Sequence, residues 1–144
     1  MKITICGSIS STPKIKDISK NLAEMGIETK IPYTSGRIIR GEVALEDYLA
    51  EIRENGDKKF RDNTDVIKEH FEFIKNSDAI LVVNIDKNGI KNYIGGNTLM
   101  EIGFAHVNDK KVFLLNPIPE DVPYVDEIKA MVDEVLNGDL KKIK

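Results

Sequence analysis

The sequence predicts a single α/β domain over residues 1–144, with a doubly wound parallel sheet in a flavodoxin-like (Rossmann-like), three-layer α/β/α arrangement. Short apolar segments of strand length alternate along the chain with amphipathic segments of helical period, which is the pattern of successive βαβ units. Residues 79–84 form an unbroken apolar run, as expected of a strand that helices cover on both faces. A chain of 144 residues also has the usual length of one such domain.

The first third of the chain predicts a strand, a helix and a second strand. Residues 2–6 alternate as a strand does. A helix begins at Ser11 or Thr12, with a capping hydroxyl and then a proline in the first turn, and Gly26 ends it. Residues 27–31 form the second short strand.

Between the second and third strands the sequence predicts additional helical structure. The stretch at about 33–61 is the least regular of the chain, and we interpret it as a helical insertion that contains one short amphipathic helix around Tyr48. A longer helix begins near Asn63 and ends just before the third strand, at 79–84.

The second half predicts two helices and two further strands. A helix from about Thr98 to Val107 leads to a fourth strand at 111–115, and a last helix spans about 123–136. We place a fifth strand near 139–140. Right-handed crossovers between such strands favour the order 2-1-3-4-5, in which a ligand binds at the carboxyl ends of the strands.

Composition and charge argue against several classes of function. The formal net charge of −3 does not suit the broad basic surface that polymeric nucleic acid requires. No apolar run approaches the length of a membrane span, and the first residues do not resemble a signal peptide, so we expect a cytoplasmic protein without a membrane partner. With one cysteine, and two histidines far apart in sequence, we expect no disulfide, metal or other cofactor.

The loop after the first strand contains Gly7, Ser8, Ile9 and Ser10, which could meet a small ligand. Glycine permits close approach of the backbone, and serine hydroxyls with the free amides of the next helix suit an anion or a sugar hydroxyl. The loop lacks the patterns that bind dinucleotides or triphosphates. An ordinary turn of small residues with a helix cap explains the same residues.

A second loop carries Gly95, Gly96, Asn97 and Thr98, and Glu101 follows in the predicted first turn of a helix. Two glycines let backbone amides face a ligand, and a glutamate carboxylate is ionised at neutral pH, so Glu101 could act as a nucleophile. The alternative is a capping box, because Thr98 and Glu101 have its spacing.

Three further residues are candidates for contacts with a ligand. His70 lies on the apolar face of its helix, where a histidine is more often a packed core residue but could donate a proton. Asp86 follows the third strand and Asn116 follows the fourth, so each could face a ligand or simply shape a turn.

Taken together, these segments resemble the nucleoside 2-deoxyribosyltransferase superfamily, near its 2'-deoxynucleoside 5'-phosphate N-hydrolases. The resemblance covers residues 5–9, 71–84 and 95–105, and the last of these contains the most specific motif, Gly-Gly-Asn-Thr-Leu-Met-Glu-Ile-Gly-Phe-Ala. Two positions depart from the pattern. His70 aligns with an aspartate of the relatives, and Gly95 stands where transferases often carry another.

The resemblance implies roles for several residues. Glu101 falls on the catalytic nucleophile of the family, and Ser8 and Ser10 fall in the loop that holds the sugar or its phosphate. Lys129 falls in a segment that reaches into the site of a neighbouring subunit, which implies a homodimer or a higher homo-oligomer. The implied partner is a small nucleoside or nucleotide.

The expected function is cleavage or transfer at the N-glycosidic bond of a nucleoside or nucleoside 5'-monophosphate. Glu101 would form a covalent glycosyl-enzyme that water or a second base resolves, with His70 or Asp86 assisting the departing base. The alternative is a non-catalytic sensor of a nucleotide, in which Glu101 grips a ribose hydroxyl.

Overall fold

Strands and helices alternate along the part of the chain that the computed structural model describes, residues 1–55 and 65–143. The strands are β1 (Lys2–Cys6), β2 (Glu28–Lys30), β3 (Ala79–Val82), β4 (Lys111–Leu114) and β5 (Glu134–Val135). The helices are α1 (Thr12–Glu24), α2 (Tyr33–Ile39), α3 (Leu45–Asn55), α4 (Val66–Lys75), α5 (Gly96–Val107) and α6 (Val125–Met131).

These strands form one parallel sheet in the order β2-β1-β3-β4-β5, which confirms the predicted topology. β1 and β3 are neighbours in space although α1, β2, α2, α3 and α4 lie between them in the chain, and they pair from Ile3 with Ala79 to Cys6 with Val82. The strand order reverses between β1 and β3. A crevice therefore opens beyond their carboxyl ends, where such sheets bind ligands.

Helices cover both faces of the sheet, as a doubly wound fold requires. Because side chains alternate along a strand, Ile3 and Ile5 of β1 point to one face and Cys6 points to the other. The face of Ile3 packs against α1, and the face of Cys6 packs against α4, α5 and α6. Among the described residues, no helix has both the length and the apolar character that crossing a membrane would take.

The strand, helix and second strand predicted in the first third of the chain are present, but the predicted capping hydroxyl is wrong, because Ser11 is the N-cap of α1 and makes no side-chain capping hydrogen bond. α1 begins at Thr12, and its buried residues Ile15, Ile18 and Leu22 recur at helical spacing against the sheet. Gly26 follows α1 with a φ of +79°, a left-handed conformation that residues with a Cβ rarely adopt. The second strand is shorter than predicted, since the ends of edge strands lack partners on one side.

The helical insertion predicted at about 33–61 coincides in its described part with two helices, where the sequence predicted one. α3 contains the predicted amphipathic helix, and Tyr48 on it is buried. α2 is an additional helix that begins directly after Pro32 and packs against α1. Residues 56–61 and Asn63, the predicted start of the next helix, lie outside the described residues.

The predicted helix at about 123–136 is wrong in its second half. α6 ends at Met131, and Val132 is extended with φ −79° and ψ 130°. The chain then pairs with β4 as β5, where the Leu136 N–H donates to the Leu114 carbonyl at 2.8 Å. The fifth strand near 139–140 is therefore also wrong, and a 3₁₀ turn begins at Leu140 instead. The backbone groups of β4 needed partners at that edge, and this requirement outweighed the helical spacing of the apolar residues.

Replacing Leu136 tests the position of this corrected segment. Leu136 is fully buried against the sheet, so Leu136→Ala should lower the free energy of unfolding by about 2–5 kcal/mol. The control Val107→Ala removes methyl groups from a side chain that is 74% exposed, and should change it by less than about 0.5 kcal/mol. Denaturant unfolding of both variants measures the difference. Equal effects would contradict the burial of Leu136.

Candidate active site

Cys6, His70 and Glu101 meet where β1 ends. The alternation of β1 points Cys6 toward α4 and α5, and its sulfur lies 3.5 Å from His70 Nε2. His70 shares the inward face of α4 with Ile74, four residues later, and both are buried. His70 is therefore packed in the core, which was one of its two predicted alternatives. It also lies beside Glu101.

The closest contact of this cluster joins His70 to Glu101. His70 Nε2 lies 2.6 Å from Glu101 Oε2, and the two side chains are only 7% and 13% exposed. His70 Nδ1 is buried without a hydrogen-bond partner among the described residues. This favours the tautomer with its proton on Nε2, because the charged ring would bury a second N–H without an acceptor.

Glu101 does not cap its helix. α5 begins at Gly96, two residues earlier than predicted, so Thr98 lies inside the helix and Glu101 lies beyond the first turn. The helix has no side-chain cap, since its N-cap position is Gly95. The capping-box alternative and the predicted first-turn position are thus both wrong, and the carboxylate is directed to His70 instead.

Stacked aromatic rings help to set the distance between the two helices that carry this contact. Phe71 of α4 and Phe104 of α5 stack with their centroids 4.5 Å apart and an interplanar angle of 11°. Phe71 directly follows His70 in α4, and Phe104 lies three residues after Glu101 in α5. The stack therefore holds α4 and α5 at the separation that the short contact between His70 and Glu101 needs.

The buried thiol of Cys6 is in an environment that keeps it protonated. Burial raises the pKa of the Cys6 thiol well above its usual value, and the nearby Glu101 carboxylate raises it further by charge and by a hydrogen bond. A protonated thiol is a poor nucleophile, so Cys6 is not suited to covalent catalysis.

A cavity of about 120 Å³ is bordered by Glu101 and His70 at the carboxyl edge of the sheet. Gly7 and Ile9 contribute the wall beside β1, Asn97 lies one helical turn before Glu101, and aromatic side chains close other sides. Pockets for drug-sized ligands are usually about 300–1,000 Å³, so this space can enclose one ring of a ligand and not a whole drug-sized molecule. Five of the predicted site residues line it: Gly7, Ile9, His70, Asn97 and Glu101.

Ser8 and Ser10 lie beside the cavity and not on its wall. Their hydroxyl oxygens are 2.8 Å apart, and Lys87 Nζ donates to Ser8 Oγ at 2.9 Å. Lys87 also lies 5.7 Å from the centre of the Tyr93 ring. Within the described residues, Lys87 forms no ion pair with a carboxylate. Lys87 was not among the residues predicted from the sequence, although its position just after the third strand was a usable indication.

Asp86 and Asn116 have structural partners at their strand ends. Asp86 is exposed, and its carboxylate accepts a hydrogen bond from the Asn92 N–H at 2.9 Å. This bond shapes the loop, which was the alternative to a ligand contact for Asp86. Asn116 Nδ2 donates to the Asn84 carbonyl at 3.0 Å, and Asn84 Nδ2 donates back to the Asn116 carbonyl at 3.0 Å. Neither residue lines the cavity.

The remaining predicted residues also lie away from the cavity wall. Gly95 packs under Tyr93, where a Cβ would come within 3.2 Å of the ring, whereas a Cβ on Gly96 would face open space. Thr98 is buried within α5. Lys129 is exposed on α6, and its role toward a second subunit stays a prediction.

Comparison with known proteins gives matches at the level of structure. No protein-family model matches the sequence. No curated protein matches it either. A 2-deoxyribosyltransferase from the psychrotolerant bacterium Bacillus psychrosaccharolyticus matches with a TM-score of 0.59 at 18% identity, over 94% of this chain and 85% of the other. The chain has the 2-deoxyribosyltransferase fold.

A second solved structure agrees with this assignment of the fold. A CMP N-glycosidase from Clostridium botulinum matches with a TM-score of 0.54 at 16% identity, over 93% of this chain and 84% of the other. The predicted resemblance to the nucleoside 2-deoxyribosyltransferase superfamily is thus confirmed at the level of the fold.

In this 2-deoxyribosyltransferase fold, Asn84 should hold the loop after β4 in place. Asn84 is fully buried and bonds to Asn116 and Pro117 from the neighbouring strand end. Asn84→Ala leaves these backbone groups unpaired, and each such group costs about 1–3 kcal/mol. We therefore expect a loss of at least about 2 kcal/mol in unfolding free energy.

The matched control is Asn21→Ala, because Asn21 is exposed on α1. It should change the free energy of unfolding by less than about 0.5 kcal/mol. Denaturant unfolding compares the two variants, and an Asn84→Ala protein as stable as the control would disprove the role of this network.

Proposed function

We propose that this chain is an enzyme that cleaves or transfers at the N-glycosidic bond of a nucleoside or nucleoside 5'-monophosphate, through a covalent intermediate on Glu101. The observation that carries the proposal is the Glu101 carboxylate, which borders the cavity and contacts His70 Nε2 at 2.6 Å instead of capping its helix. The names of the two similar structures, a 2-deoxyribosyltransferase and a CMP N-glycosidase, support the same type of reaction.

The proposed reaction is a double displacement with retention at the anomeric carbon. The Glu101 carboxylate, which His70 Nε2 contacts through Oε2, attacks this carbon. The bond from the anomeric carbon to the base nitrogen breaks, and its electron pair leaves with the base. The resulting glycosyl ester is then attacked by water in a hydrolase or by a second base in a transferase.

His70 is proposed to orient the carboxylate during this reaction. An Nε2–H that donates to Oε2 restricts the rotation of the carboxylate at the border of the cavity. Of the two residues considered for assisting the departing base, His70 borders the cavity and Asp86 does not. The positions of these side chains support a role for His70 over one for Asp86, and because the Nε2–H is bonded to Glu101, that role is to orient the carboxylate.

Replacing the nucleophile tests the reaction directly. Glu101→Gln keeps the size of the side chain but removes its charge, so kcat should fall by roughly 10³-fold or more on the best substrate. Mass spectrometry after incubation with nucleosides and their 5'-monophosphates should detect a sugar adduct on the native protein and none on the variant.

The control for this variant is Glu72→Gln, an exposed carboxylate of α4 that does not line the cavity, and it should keep full activity. If no substrate is turned over and no adduct forms, while a nucleotide raises the melting temperature, the protein is a sensor.

The pair formed by Ser8 and Lys87 is proposed to receive the 5'-phosphate of the substrate. Lys87 Nζ donates to Ser8 Oγ at 2.9 Å, and Ser8 lies between Gly7 and Ile9, two residues of the cavity wall. An ammonium group without a carboxylate partner among the described residues can form charge-assisted hydrogen bonds with phosphate oxygens.

Replacing this lysine should separate phosphorylated from unphosphorylated substrates. A hydrogen bond to a charged group contributes about 1.5–3 kcal/mol, so Lys87→Met should raise KM for a 5'-monophosphate by roughly 10- to 100-fold. KM for the matching nucleoside should change little. Lys91→Met is the control, because Lys91 is an exposed lysine of the same loop. Equal effects on both substrates would contradict the phosphate contact.

A further inference from the structure

Three side chains that bind transition metals come together at the carboxyl edge of the sheet. The sulfur of Cys6, a ring nitrogen of His70 and a carboxylate oxygen of Glu101 all lie within 4.8 Å of one another. No metal site was expected, because the possible ligands are far apart in the sequence. The fold brings three of them together. The proposed glycosyl reaction uses the carboxylate and the imidazole but gives no part to the thiol.

The distances in this cluster are close to those of a tetrahedral zinc site. Bond lengths of about 2.3 Å to sulfur and 2.0–2.1 Å to nitrogen put these two atoms about 3.5 Å apart around one tetrahedral ion. Cys6 Sγ and His70 Nε2 are 3.5 Å apart. His70 Nε2 and Glu101 Oε2, now 2.6 Å apart, would have to separate to about 3.3 Å, which a small rotation of the carboxylate provides.

The types of ligand select among metal ions. A thiolate with an imidazole and one carboxylate suits Zn²⁺, whereas Mg²⁺ and Ca²⁺ prefer oxygen ligands. Three protein ligands leave a fourth position, and His70, Glu101 and the Gly7 backbone next to Cys6 border the cavity. We propose that Cys6, His70 and Glu101 bind Zn²⁺ reversibly, with the fourth coordination position open to the cavity.

The surroundings of His70 set the strength of this binding. On coordination the Cys6 thiol releases its proton to solvent, and the imidazole proton moves from Nε2 to Nδ1. Histidines that bind metals usually donate the second N–H to a partner, yet Nδ1 has none among the described residues. The ion therefore exchanges with solvent and is not a permanent structural element.

Zinc in this position would stop the proposed reaction. The ion takes up the Glu101 carboxylate and occupies the space at which the anomeric carbon would be attacked. This consequence rests on the proposed function, but the binding itself does not. Zn²⁺ should therefore act as a reversible inhibitor that a chelator removes.

The test measures metal binding without reference to activity. Chelator-treated protein is titrated with Zn²⁺ in competition with a chromophoric chelator, and one equivalent should bind. Co²⁺ in place of Zn²⁺ should give a thiolate-to-metal charge-transfer band in the near ultraviolet and the intense visible bands of a tetrahedral ion. Because the chain has one cysteine, such a band can come only from Cys6.

Variants identify the ligands. Cys6→Ala and Cys6→Ser should abolish the charge-transfer band and weaken Zn²⁺ binding by more than about 100-fold, since loss of an outer partner alone costs 10- to 100-fold. His70→Gln should weaken binding similarly. His106→Gln, which replaces the other histidine at an exposed position, should bind as the native protein does. Circular dichroism and melting temperature verify that each variant is folded.

Each outcome decides the proposal. Absence of stoichiometric binding to folded native protein, or binding that survives in Cys6→Ala, overturns it. Binding with the thiolate band but without inhibition of an active enzyme removes Glu101 from the ligand set and overturns the three-residue site. If metal-free protein binds Zn²⁺ as described but turns over no substrate, the zinc site stands and the proposed function fails.

Discussion

A carboxylate that has only 13% of its side chain exposed must find hydrogen-bond donors inside the protein, and the nearest donor to Glu101 is His70. An isolated ionised carboxylate in such a place would lose several kcal/mol of solvation. The contact is possible only because α4 and α5 pack side by side on one face of the sheet. The arrangement of this face therefore determines whether Glu101, the proposed nucleophile, can be both charged and held in one orientation.

The parallel order of the strands is what gathers the site from distant parts of the chain. β1 lies next to β3, so the loop after Cys6 and the loop that contains Lys87 meet at one edge, although about eighty residues separate them. The same edge receives the start of α5, whose second turn carries Glu101. No single segment holds the candidate chemistry, and each contributes one or two side chains from the end of a regular element.

The fold was predictable from the sequence where local pattern and tertiary structure agree. In β1, α1 and β3, the pattern of apolar residues in the sequence matches the pattern of buried side chains in the folded protein. The end of the chain was not predictable in this way. Val132 and the residues after it have helical spacing, but the open edge of β4 required backbone partners, and only the assembled sheet reveals that requirement.

The candidate site was predictable in part for a similar reason. Glu101 and His70 could be selected because their residue types and positions next to glycines or on an apolar face are informative. Whether the carboxylate would turn back to its own helix depended on the start of α5, which lies two residues before the predicted one. The hydrogen bonds of Cys6 with His70, of Asn84 with Asn116 and of Lys87 with Ser8 each join residues more than thirty positions apart, and no local pattern encodes them.

The walls of the cavity come from two kinds of segment, and the sequences of the two kinds can change independently during evolution. His70 and Glu101 lie on helices that pack directly on the sheet, whereas Tyr33 and Tyr48 reach the cavity from α2 and α3, outside that layer. Exchange of the outer helices would alter the shape of the cavity while His70 and Glu101 keep their positions. Sequence change in one stretch can therefore alter which ligand fits without moving the side chains that another stretch supplies.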